Sequence, residues 1–140
     1  MDKTKFNYKF MMKKHHEDLI WECVELLQKL NIRFSKSIRF GYLVDNISKL
    51  GLCVATYYRS KGFFIIRINE AINNDKTFIE TAIHELLHTI TDSDGELLCL
   101  NHRGPWKEVA EFVSKNTPFE IKTSSKEQNI LTFLDDRSKF

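Results

Sequence analysis

Residues 77–90, TFIETAIHELLHTI, read as a helix that is apolar around most of its girth, and this segment constrains the chain more than any other. Phe78, Ile79, Ala82, Ile83, Leu86, Leu87 and Ile90 leave little of its surface for solvent, so it belongs in the interior. Thr77 followed three residues later by Glu80 has the form of a capping box and predicts the helix start. A chain of 140 residues with 42% hydrophobic content can enclose such a helix as one domain, residues 1–140.

The elements around it follow from periodicity. In residues 16–30, Leu19, Ile20, Cys23, Leu26, Leu27 and Leu30 recur at spacings that make the stripe of an amphipathic helix. Residues 32–44, 50–60 and 62–69 are short, rich in β-branched and aromatic side chains, and separated by polar or glycine-containing breaks. They predict three strands in an antiparallel meander. Pro105 suits the first turn of a third helix over 105–116. A short strand at FEIKT, residues 119–123, and a final helix near 127–136 complete the expectation of an α+β domain.

Composition narrows the class. The chain has no repeat, no low-complexity tract and no apolar run long enough to cross a bilayer, and its N-terminus lacks the form of a signal peptide. The three cysteines, Cys23, Cys53 and Cys99, lie far apart among apolar residues and predict reduced, buried thiols. A cytoplasmic protein is the expectation. A net charge of +2 neither demands nor excludes a nucleic-acid partner, so charge placement has to be read instead.

His84 and His88 stand four apart on the apolar helix, so both imidazoles project from one face and can hold one metal ion. Glu85 is displaced by about 100° around the axis, where its carboxylate can serve a water on the metal without ligating the ion. This is the HExxH arrangement of zinc peptidases. Zinc suits neutral imidazole, leaves a coordination position open, and brings the pKa of a water ligand towards ~7. With five histidines in 140 residues, chance supplies the pattern in roughly 0.014 chains of this composition. Burying these three side chains in so apolar a helix is costly unless something pairs with them. A metzincin continuation is excluded, because Thr91 and Asp94 occupy the places where glycine and histidine would stand. From the residues alone, the third ligand is His102, fourteen residues past His88, or a glutamate of the following helix, Glu108 or Glu111.

IHELLHTI combined with HRGPWKEVAEFV, preceded by a helix and strands ending in IIRINEAI, resembles the SprT-like (Spartan-type) zinc metalloproteases of DNA–protein crosslink repair, from about Leu19 to Lys122. The resemblance implies a zincin-like fold with an N-terminal helix, a three-stranded antiparallel sheet, the HExxH helix, a further helix and a short strand. It implies zinc ligands at His84, His88 and His102, Glu85 as the catalytic residue, and Trp106 in the aromatic place after the third ligand. Arg103 stands where that family usually has glycine, and the chain shows no cysteine ribbon, so the expectation is a protease core without one. The substrate implied is protein or peptide. The alternatives are a glutamate-ligand zincin of the repressor-cleaving type, and a zinc-holding, DNA-associated module with little peptidase activity.

Positive charge crowds the N-terminus and studs the strand region. Arg39, Arg59 and Arg67, inside predicted strands and near Tyr58 and Phe63, predict a basic face for single-stranded DNA. His15 and His16 read as part of a solvated basic cluster, the acidic loop around Asp92 to Glu96 as solvated, and both tryptophans as core.

Overall fold

The computed structural model describes residues 1–58, 61–90 and 104–122. After a short 3-10 turn, Lys3–Lys5, come β1 (Asn7–Phe10), α1 (Lys14–Lys29), β2 (Ser37–Leu43), β3 (Gly51–Tyr58), β4 (Lys61–Asn69), α2 (Asp75–Leu87) and α3 (Pro105–Asn116). The class is α+β, and the sheet is four-stranded and mixed.

Strand order is β1-β2-β4-β3, with β1 parallel to β2, β2 parallel to β4, and β3 antiparallel to β4. This corrects the expected three-stranded antiparallel meander. β4 carries the most continuous apolar run, and Ile66 and Ile68 are fully buried, so it takes an interior place between two neighbours. β3 is thereby displaced to the edge. β1 was not expected. Its alternation of Tyr8 and Phe10 with Asn7 and Lys9 has the period of a strand, but it lies among lysines that read as a basic cluster. Tyr8 and Phe10 pack with Trp21 and Phe40, which anchors the strand to α1 and β2. The strand expected at 119–123 is absent from the described part, because residues 119–122 run unpaired beside α2. The helix expected near 127–136 lies outside the described residues.

One face of the sheet carries the core. Ile38, Phe40, Ile66 and Ile68 point towards the helices and meet Leu19, Ile20, Cys23, Val24 and Leu27 from α1. Each such side chain contributes about 1.5–3 kcal/mol by leaving water. The interior place of α2 agrees with its apolar girth, since it packs against α1, α3, β3 and β4. Its start lies earlier than the capping box implied. Asn74 is the N-cap, its side chain accepting from the Thr77 amide at 2.8 Å, and asparagine is the stronger cap. Glu80 instead accepts from the Glu120 amide at 2.7 Å.

His15 and His16 do more than solvate a cluster. His15 Nε2 lies 2.9 Å from Asp75 Oδ1, His16 Nδ1 lies 2.6 Å from the Tyr42 hydroxyl, and the His16 ring stacks on Phe78 at 4.3 Å. These contacts tie the start of α1 to β2 and to the start of α2. Among the described residues, no helix is long and apolar enough to cross a membrane. Cys23 is buried and Cys53 half-buried, both as free thiols, while Cys99 lies outside the described residues.

Candidate metal centre

α2 delivers His84 and Glu85 in its last turn and His88 as its C-cap. One ligand atom from each of the three side chains lies within 4.8 Å of the others. His84 is 4% exposed and Glu85 6%, while His88 is half-buried and closer to the surface. The helix end is held in place just beyond His88. The Thr89 hydroxyl donates to the Leu86 carbonyl at 2.8 Å, the Ser35 amide donates to Thr89, and Ile90 bridges to Phe34.

Lys122 and Trp106 help aim the imidazoles. His84 Nδ1 lies 3.0 Å from the Lys122 carbonyl oxygen, and a carbonyl only accepts, so Nδ1 carries the proton and the lone pair is on Nε2. Lys122 is brought there by a segment pinned at Glu120 to Glu80 and at Ile121 to the Ser114 hydroxyl, 2.9 Å away. Trp106, fully buried on the first turn of α3, stacks on His88 with centroids 5.4 Å apart and meets His84 edge-on at 4.8 Å. Its indole N–H reaches the His84 carbonyl at 3.4 Å. A helix crossing α2 therefore braces both imidazoles.

Glu85 is unlike an ordinary surface carboxylate. Burial raises its pKa from 4.5 to about 8, and the positive charge of Lys49 opposes that rise. The Cys53 thiol, on the strand above, is pushed up by burial and further by the charge of Glu85. In the metal-free protein this has a measurable consequence. A carboxyl whose folded pKa is raised stabilises the fold fully below its unfolded pKa, and that contribution is lost as pH rises through the folded value. The shift from 4.5 to about 8 corresponds to roughly 5 kcal/mol. Thermal melts of apo protein should show the Tm falling as pH is raised from the mid-fours through eight, and Glu85→Gln should flatten that slope. Parallel slopes for the two proteins would place the titration elsewhere.

The donor set fits zinc in type: two imidazoles, one with its tautomer set by a carbonyl, and a carboxylate beside them. The structure brings His84, Glu85 and His88 together. His102 lies outside the described residues. Glu108 and Glu111 are exposed on α3, whose buried residues are Trp106, Ala110 and Val113. Arg39 and Arg67 are exposed on the sheet face turned away from α2, and Arg59 lies outside the described residues. Three contributors escape a reading by residue type. Trp106 reads as core, though its place in HRGPW was a signal; the Lys122 contribution is backbone only; and Gly51, against which Glu85 packs, leaves no local mark. No family model matches the chain, and no curated protein or solved structure matches it either.

Proposed function

We propose that the chain is a zinc-dependent endopeptidase with a zincin-like core of the SprT-like kind, in which His84, His88 and His102 hold the ion and Glu85 is the general base. The observation that carries this reading is a carboxyl group 6% exposed beside two imidazoles on one helix, a costly arrangement that metal-assisted hydrolysis uses. Zinc bound there supplies Lewis acidity and an open position for the reacting oxygen. Glu85 takes the proton of the attacking water and passes it to the amine that leaves when the peptide C–N bond breaks. Trp106 and the Lys122 carbonyl hold the imidazoles in place. β3, the edge strand against α2, lines the substrate cleft. The test is hydrolysis of an unfolded protein by zinc-loaded wild type, with Glu85→Gln as the paired variant. Tight zinc with no hydrolysis in wild type would return the chain to a zinc-holding module.

Single-stranded DNA is the proposed partner, on the opposite side of the sheet. Lys9, Arg39 and Arg67 are exposed there, the described strand residues of that face include no carboxylate, and the Arg39 guanidinium lies 4.3 Å over the Phe63 ring. Register places Arg39 opposite Ile65 and Arg67 opposite Gly41, so the two guanidinium groups stand on adjacent strands. A planar cation stacked on an aromatic, with a second cation beside it, suits phosphates and unstacked bases. DNA docked there leaves the α2 side open to protein carried on the strand. Anisotropy of a labelled oligonucleotide should give a log-log salt slope of about 0.7 per phosphate contacted, and Arg39→Glu and Arg67→Glu should each lower both affinity and slope. Absence of binding at low salt would remove the DNA partner and leave the peptidase reading standing.

A further inference from the structure

β3 begins against the candidate general base. A Cβ built on Gly51 would stand 2.7 Å from Glu85 Oε2, 2.9 Å from Thr81 Cγ2 and 3.1 Å from Glu85 Cγ. The first two distances are closer than side-chain carbons come to other heavy atoms and the third is tight, so the Glu85 carboxylate as placed and any side chain at 51 exclude one another. The bare backbone of Gly51 is therefore one wall of the space that Glu85 occupies. None of the three nearest atoms belongs to a histidine.

That wall is held from several directions. Gly51 pairs with Ile68 in the sheet. The next residue of β4, Asn69, is 2% exposed, and its amide donates to the Leu50 carbonyl at 2.8 Å. Its side-chain NH2 donates to the carbonyls of Asn46 at 2.7 Å and Lys49 at 2.9 Å, while Oδ1 accepts from the Ala71 amide at 2.9 Å. Within the loop, Asn46 Oδ1 accepts from the amides of Ser48 and Lys49, both at 2.9 Å. One buried amide side chain thus binds the loop before Gly51 to the segment that leads into α2, the helix bearing Glu85. The two parts that meet at the carboxylate cannot drift apart without breaking several hydrogen bonds of the Asn69 side chain, part-buried or buried.

We propose that Gly51, held by the Asn69 hub, is a positioning residue for Glu85: its missing side chain sets where the carboxylate reaches, and a methyl group there displaces the base while leaving the metal ligands in place. The catalytic consequence rests on the peptidase reading; the contact itself does not. Gly41→Ala is the control, because a Cβ there meets nothing nearer than Met11 at 3.9 Å.

The experiment measures zinc content, kcat and KM for wild type, Gly51→Ala and Gly41→Ala, and separately melts the metal-free proteins. Gly51→Ala should keep the zinc content and KM of wild type and lose about 100-fold in kcat, the scale expected of a small misplacement of a reacting group. Gly41→Ala should match wild type. In the melts, Gly51→Ala should lower the Tm strongly on its own and much less when combined with Thr81→Ser and Glu85→Ala, which remove the atoms it strikes. Equal kcat for the two glycine variants overturns the positioning role, and an equal Tm loss in both backgrounds overturns the contact. A Gly51→Ala chain that fails to fold alone and folds with the two companions supports the seat; one that stays unfolded in both overturns it. Absence of hydrolysis in wild type removes the catalytic role together with the peptidase reading, and the melts still decide whether Gly51 seats Glu85.

Discussion

Glu85→Gln should retain zinc and fold and lose peptide hydrolysis by about a thousandfold or more. The amide fills nearly the volume of the carboxylate, so it fits against Gly51 and Thr81 without a new clash. It cannot take up a proton, and general acid–base groups contribute typically 10²–10⁴-fold to rate, with the whole of that role assigned here to one side chain. Stability should not suffer, since a site that raises the carboxyl pKa to about 8 favours a neutral group, and the amide is neutral at every pH. Zinc content, a melting curve and a kcat measurement on the same preparation make the test. Loss of zinc from the variant would show that Glu85 is a ligand, and retained hydrolysis would show that another group is the base.

His102→Ala should reduce zinc affinity by orders of magnitude, whereas Glu108→Ala and Glu111→Ala should leave it near that of wild type. Two imidazoles from one helix make a poor zinc site, and the third protein ligand closes it. The two glutamates stand on the exposed side of α3, while Trp106, Ala110 and Val113 face inward, so reaching the imidazoles would require α3 to rotate and expose its tryptophan. Competition with a chromophoric chelator reads the affinity directly. Zinc released by Glu108→Ala or Glu111→Ala but retained by His102→Ala would replace the SprT-like reading with a glutamate-ligand zincin of the repressor-cleaving type.

Local patterning along the chain is legible in the sequence. α1 and α3 lie within two residues of their expected spans, because a helix declares its buried face every three or four residues along one stretch of chain. The HExxH group is legible for the same reason: a spacing of four on a helix brings two imidazoles together whatever surrounds them, and His84, Glu85 and His88 do converge. The apolar girth of residues 77–90 likewise foretold the interior place of α2.

Pairing partners were another matter. Alternation along a strand says which side chains share a face, but nothing in it names the neighbour, so three apolar runs in sequence order suggested a meander. The fold instead inserted β4 between β2 and β3 and added β1 beside β2, which only the competition for interior places could decide. The remaining parts of the site come from segments far apart in sequence: Trp106 from α3, the Lys122 carbonyl beyond it, and Gly51 from the edge strand. Lys122 acts through its backbone, where residue type carries no signal, Gly51 acts through a missing side chain whose neighbour the sequence does not name, and all depend on long-range packing. The amino-acid order alone determined which side chains could meet a metal ion; the tertiary structure decided what holds them still, because a helix sets spacing along itself and only its neighbours limit how its side chains turn.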